Sequence, residues 1–169
     1  DQEASTVYLA DPQMSLDVGA IAKGYATERV CQTLIKEGYQ SVLLSVGGNV
    51  RAIGYKEPDL LWNVSIKNPD KTSEQKELLT TAIHDMTVTT SGVYERYYTV
   101  DGKQYHHIID PETLMPSTRY QSVTILAKDS KVADGLTTAI FNMSIEEGMR
   151  LIDSLPYAEA LWVLPDGTI

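Results

Sequence analysis

Residues 94–109 read Tyr94-Glu95-Arg96-Tyr97-Tyr98-Thr99-Val100-Asp101-Gly102-Lys103-Gln104-Tyr105-His106-His107-Ile108-Ile109. Two strand-like runs meet at Asp101-Gly102, a dipeptide that tolerates the positive φ angles of a tight hairpin turn. The stretch reads as a β-hairpin, and Asp110-Pro111 ends it. A hairpin joins antiparallel neighbours, whereas parallel strands need a long crossover. The rest of the chain agrees. Strand patterns lie at 4–10, 41–46, 61–66, 82–90, 121–127 and 158–164. Residues 41–46 read as a buried strand that runs into Gly47-Gly48, with 49–54 continuing past the bend. Helical spacing is confined to 21–37, 130–142 and 145–155, and the polar stretch 70–77 reads as a surface connection. Strands outnumber helices and hairpins link several of them. This predicts an α+β fold, with a mixed or mostly antiparallel sheet and flanking helices.

Composition sets further bounds. A chain of 169 residues fits one domain or a large piece of one. The net charge of −9 comes without a basic stripe, so no nucleic-acid partner is expected. No apolar run reaches the roughly 18 residues of a membrane span. Cys31 is the only cysteine, which excludes an internal disulfide and a thiolate cluster. It falls inside the first helical pattern and reads as a buried structural thiol. Ten Tyr against one Phe predict partly wet aromatic surfaces around 94–105. Trp62 and Trp162 fall in strand patterns as core residues.

Two helical segments carry chemistry. In Asp17-Val18-Gly19-Ala20-Ile21-Ala22-Lys23-Gly24-Tyr25, small residues precede an amphipathic helix with one lysine in its first turns. Ile21, Tyr25, Ala26, Val30, Leu34 and Ile35 recur at helical spacing, and Gly38 is the stop signal. A helix N-terminus and a mobile lysine suit a phosphate, while Asp17 suits a ligand ring or ribose. The same stretch also reads as an ordinary strand-to-helix turn with a surface lysine. In Ala133-Asp134-Gly135-Leu136-Thr137-Thr138-Ala139, Asp134 and Thr138 share one helical face. A carboxylate and a hydroxyl form a hard oxygen pair, suited to Mg²⁺ or Ca²⁺ and unsuited to zinc. An acidic first turn of a helix reads the same way. Together the segments point to a nucleotide handled with Mg²⁺.

Three shorter stretches lie between them. Ser45-Val46-Gly47-Gly48-Asn49 lets backbone approach a ligand, or simply bends. Thr90-Ser91-Gly92-Val93-Tyr94-Glu95-Arg96 runs a strand into a glycine turn. His106-His107-Ile108-Ile109-Asp110-Pro111 places adjacent histidines on opposite faces of a strand, so the two cannot share one metal.

These five stretches, in this order, resemble the ApbE family of Mg²⁺-dependent FAD:protein FMN transferases. The resemblance runs from about Leu16 to the helix at 145–155. It implies an ApbE-like fold and makes residues 1–169 the C-terminal part of a single domain, with the N-terminal part absent. Asp17 and Lys23 would contact FAD, and Gly47, Gly48, Ser91 and Gly92 would line its pocket. His107 and Ile109 would lie beside the cofactor, His107 as a candidate general base. Ala20 would offer its backbone carbonyl to Mg²⁺, with Asp134 and Thr138 as side-chain ligands. The implied reaction attaches FMN to a Thr or Ser hydroxyl of a target flavoprotein and releases AMP. Hydrolysis of FAD to FMN and AMP, or FAD binding without chemistry, are the alternatives. The implied partners are FAD, the target flavoprotein and an N-terminal segment of the same protein. The resemblance suggests a cell-envelope setting, with the cytoplasm also open. Asn49 stands where the family more often has Asp. Leu114 replaces a usual Gly in Asp-Pro-x-Thr-Gly, so the turn 110–116 is expected to differ.

Overall fold

The computed structural model describes residues 1–169. Helix α1 spans Gly19–Lys36 and is followed by strands β1 (Val42–Val46), β2 (Asn49–Ile53), β3 (Trp62–Lys67), β4 (Glu77–Ile83), β5 (Thr87–Gly92), β6 (Tyr97–Val100), β7 (Lys103–His106) and β8 (Ser122–Ala127). Helices α2 (Ser130–Phe141) and α3 (Ile145–Asp153) and strand β9 (Ala158–Val163) complete the fold. A five-stranded sheet has the order β1-β2-β5-β8-β9, and β3-β4 and β6-β7 form two separate ribbons. Every ladder is antiparallel, as hairpin connections require. β6 and β7 pair Val100 with Lys103 across Asp101-Gly102, both at positive φ.

Local chemistry explains the helix boundaries. α1 ends in a Schellman motif: Gly38, at φ 90°, donates its N–H to Ile35 and Tyr39 donates to Leu34. Asp129 caps α2 by accepting from the N–H groups of Lys131 and Val132. Ser144 and Glu147 form a capping box at the start of α3.

The larger core joins β8, β9, α2 and α3 through Val123, Ile125, Ala133, Ile140, Phe141 and Ile152. A second core packs Val64, Ile66 and Ile83 of the β3-β4 ribbon against Ala52 and Val88. α2 lies on β5 and β8, and α1 packs on α2 and β2. Both helices therefore lie against the sheet over β1, β2, β5 and β8.

Several expectations change. Residues 4–10 form no strand and lie largely exposed, with no neighbouring strand to pair with them. β1 is an edge strand, mostly exposed rather than buried. The strand expected at 82–90 is two strands. β4 ends at Ile83, the chain turns with Asp85 at φ 49°, and β5 begins at Thr87. The Asp85 carboxylate accepts from the N–H of Gly54 at 2.7 Å, so the turn is tied to the end of β2. Trp62 and Trp162 are only half-buried at the edges of the two cores.

The largest change concerns the facing of α1. An amphipathic helix normally turns its apolar stripe inward. Here Ile21, Tyr25, Val30 and Ile35 are each about half exposed, at 50%, 55%, 49% and 49%. The buried side is Gly24, Thr27, Glu28 and Cys31, spaced i, i+3, i+4 and i+7. Close approach to α2 explains this. A Cβ at Gly24 would lie 2.2 Å from the carbonyl oxygen of Ser130 and 2.5 Å from Cβ of Asp134. Only glycine fits that crossing, and the residues beside it must match a polar interior. Cys31 is fully buried, and burial pushes its thiol pKa up, as a structural thiol should behave.

Candidate active site

The polar interior under α1 has a defined construction. Asp134 is 2% exposed. Its Oδ2 accepts from the Gly24 N–H at 2.7 Å, across 110 residues of sequence. Its Oδ1 has only longer neighbours: Asn49 Nδ2 at 3.5 Å and Lys23 Nζ at 3.8 Å. Asn49, fully buried, accepts from the Thr89 hydroxyl at 2.9 Å, which turns its amide toward Asp134. The Ser91 hydroxyl donates to Thr137 at 2.9 Å, and Thr137 donates to the Asp134 carbonyl at 2.8 Å. Behind this cluster, Glu28 Oε2 accepts from Arg51 Nε at 3.3 Å and from the Ser130 N–H at 3.0 Å. That second acceptor bond matters because a buried ion pair needs extra partners to offset desolvation.

The start of α1 closes one side of the cluster. The exposed Asp17 accepts from the Gly19 N–H at 2.6 Å, a local turn just ahead of the helix, whose N-cap position is Val18 with no side-chain cap. Lys23 Nζ also reaches the Gly19 carbonyl at 3.4 Å. A Cβ at Gly47 would lie 3.2 Å from Lys23 Cδ and 3.9 Å from Arg96 Nη2. The β1-β2 turn, Lys23 and the Arg96 guanidinium therefore meet. At Gly48 a Cβ would approach the Thr90 carbonyl oxygen to 2.8 Å, so this turn also needs glycine. The Arg96 carbonyl lies 3.3 Å from His107 Nδ1 and links His107 to the same region.

Of the residues expected in the site, the structure gathers Lys23, Gly47, Gly48, Ser91 and Asp134 around one cluster. Ala20 lies in the first turn of α1 and Thr138 one turn beyond Asp134 on α2. Gly92 lies against an aromatic ring. The Tyr94 ring fills the space above it, 2.6 Å from where a Cβ would stand, so Gly92 is used for packing. Burial pushes the Tyr94 hydroxyl pKa up to about 12, so it stays protonated. Ile109 is 47% exposed, whereas its neighbour Ile108 is in the core. The two histidines do part, as strand alternation implies. His106 turns inward, with Nε2 2.8 Å from the Ser117 carbonyl, and burial lowers its pKa. With Asp110 and Arg119 it lines a cavity of about 690 Å³. His107 is exposed.

Leu114 takes φ 57°, the left-handed region that glycine enters freely. A leucine there costs about 1–2 kcal/mol. Leu114→Gly is expected to raise stability by about 1 kcal/mol, read as a higher denaturation midpoint at unchanged slope. A lower midpoint would show that the Leu114 side chain contributes packing beyond its backbone strain.

The donor set fits a hard divalent cation. Asp134 offers one oxygen with only distant neighbours, Thr138 a hydroxyl on the same helix and Ala20 a carbonyl at the facing helix start. No group of three His, Cys, Asp or Glu side chains gathers anywhere in the chain. That composition disfavours zinc and suits an ion that keeps water and substrate oxygens as ligands.

The ApbE family model matches residues 1–162. The chain belongs to the ApbE family. An FAD:protein FMN transferase from Treponema pallidum is 42% identical over 170 residues, covering 95% of this chain and 47% of that protein. A second, from Klebsiella pneumoniae, is 35% identical over 96% of this chain and 50% of its own length. The crystal structure of the ApbE protein from Thermotoga maritima superposes with a TM-score of 0.82 at 37% identity, covering 91% of this chain and 50% of that one. Flavin transferase ApbE from Vibrio cholerae gives 0.74 at 31%, covering 90% and 48%. The fold is thus an ApbE fold, and the chain spans about half the length of the relatives it matches.

Several residues of the cluster carry little signal in the sequence. Gly24 carried no signal beyond being small. Arg96 carries no distinguishing pattern of its own. Thr89, Thr137 and the Glu28–Arg51 pair offered only an unexplained wealth of polar residues in strand and helix patterns. Asn49, a departure from the family pattern, lies beside Asp134.

Proposed function

We propose that the intact protein transfers FMN from FAD to a Thr or Ser hydroxyl of a target flavoprotein and releases AMP. The observation that carries this reading is the convergence of Lys23, the Gly47-Gly48 turn, Arg96 and Asp134 from segments more than a hundred residues apart. Two cations beside a glycine turn and a helix start suit a pyrophosphate. Asp134, Thr138 and the Ala20 carbonyl would hold Mg²⁺, which would supply charge neutralisation for the departing phosphate. The remaining steps belong to this chain's own residues. Lys23 and Arg96 hold the phosphates. The acceptor oxygen attacks the phosphorus on the FMN side, the P–O bond to AMP breaks, and the acceptor proton passes to His107. When His107 donates Nδ1–H to the Arg96 carbonyl, Nε2 is free to take that proton. The exposed apolar residues Val18, Ile21 and Tyr25 flank this site. They form the surface on which the part of the relatives not spanned here would pack.

The test supplies full-length protein with FAD, Mg²⁺ and a Thr-containing target peptide. The expected products are AMP and a peptide heavier by FMN minus water. Free FMN with AMP and no modified peptide would indicate hydrolysis instead. FAD binding without AMP would leave a binding module and overturn the enzyme reading.

A further inference from the structure

Asn142 ends α2, and its side chain binds two carbonyls. Nδ2 donates to the Ile109 carbonyl at 3.2 Å and to the Thr138 carbonyl at 3.3 Å. Both amide hydrogens are spent, which sets the direction of the group: turned over, Oδ1 would face two carbonyl oxygens. Oδ1 is buried and has no donor. A buried acceptor left unpaired lowers stability, and an apolar side chain of similar size would avoid that loss. Such locally unfavourable choices concentrate where function needs them.

The two carbonyls belong to different parts of the site. Thr138 lies one turn after Asp134 on α2. Ile109 lies two residues after His107, in a loop with its own bonds. The Asp110 carboxylate accepts from Glu112 and Thr113, the Leu114 N–H returns to the Asp110 carbonyl, and the Ser117 N–H donates to Ile108. Ser117 Oγ reaches the Phe141 carbonyl at 3.3 Å and fastens the far end of this loop. Asn142 fastens the near end, beside His107.

We propose that Asn142 is a positioning residue that holds the His107 loop in register with the Asp134–Thr138 face of α2. This rests on the transfer reading for its catalytic consequence, but not for its structural one. The experiment compares full-length wild type with Asn142→Ala and Asn142→Leu. Three readouts are used: hydrogen exchange by mass spectrometry, Mg²⁺ affinity by calorimetry, and FAD turnover. Amides of residues 107–117 are expected to exchange roughly tenfold faster while α1 and β8 stay unchanged, because only the tie to the loop is lost. Mg²⁺ affinity should stay within about twofold, since no metal-facing atom changes. kcat should fall about 10- to 100-fold with KM for FAD nearly constant, as expected for a misplaced base on a bound substrate. Asn142→Asp should match the alanine variant, since a carboxylate cannot donate to either carbonyl.

Loop exchange within about twofold of wild type would overturn the tie. Faster exchange across α1, β5 and β8 alike would make Asn142 a general stabiliser and overturn it too. A wild type without turnover would sink the transfer reading, and the exchange data would still decide the tie.

Discussion

Gly24→Ala is expected to cost about 2–3 kcal/mol and to lower Tm by roughly 4–12 °C. The added methyl would overlap the Ser130 carbonyl oxygen at 2.2 Å and Asp134 Cβ at 2.5 Å. The first of these is backbone, so α1 and α2 must separate. Alanine's better helix propensity returns only about 1 kcal/mol. Separation also lengthens the 2.7 Å bond from Gly24 to Asp134, so Mg²⁺ binding should weaken with stability. Gly135→Ala is the control on the facing helix. Its methyl would meet only Ile21 Cγ2 at 3.6 Å, an ordinary contact. A thermal scan of both variants checks this. Equal midpoints for the two would show that the crossing has slack that the geometry does not suggest.

Asp134→Asn is expected to leave the fold within about 1 kcal/mol of wild type and, on the proposed reading, to reduce the FAD turnover of the intact protein with Mg²⁺ at least about 100-fold. The amide keeps an oxygen for the Gly24 N–H, and Lys23, whose side chain is 29% exposed, can turn to water. What the substitution removes is the buried negative charge whose Oδ1 has only distant neighbours, Asn49 Nδ2 and Lys23 Nζ. Asp134→Ala should add a stability loss, because the buried Gly24 N–H then loses its acceptor as well. Calorimetric titration with Mg²⁺ separates the two effects. Unchanged affinity in the Asn variant would remove Asp134 from the metal site.

The motifs were legible because their chemistry is local. Asp101-Gly102 announces its turn through backbone sterics, and the hairpin followed. The Asp134–Thr138 spacing announces a shared face through the helical repeat. The end of α1 followed from Gly38, whereas the caps Asp129 and Ser144 became visible only in the structure, although each acts on backbone groups within four residues. Failures came where a distant partner decides. Residues 4–10 alternate like a strand but find no ladder. Glu77–Ile83 lacks a strong signal of its own and becomes a strand because Trp62–Lys67 lies beside it.

What the sequence by itself determined is the α+β class, most of the elements and a set of residue types suited to a nucleotide and a hard cation. It did so because turns, caps and side-chain spacing act within a few residues. Only the tertiary structure decided which side of α1 faces inward. Periodicity marks an apolar stripe on a helix but carries no sign for inside or outside. The close crossing at Gly24 selects the polar side, and that choice brings Lys23 and Gly24 to Asp134. The joining of Ile109 to Thr138 through Asn142 is likewise invisible in the chain, because a hydrogen bond across 33 residues exists only once both ends have been brought together.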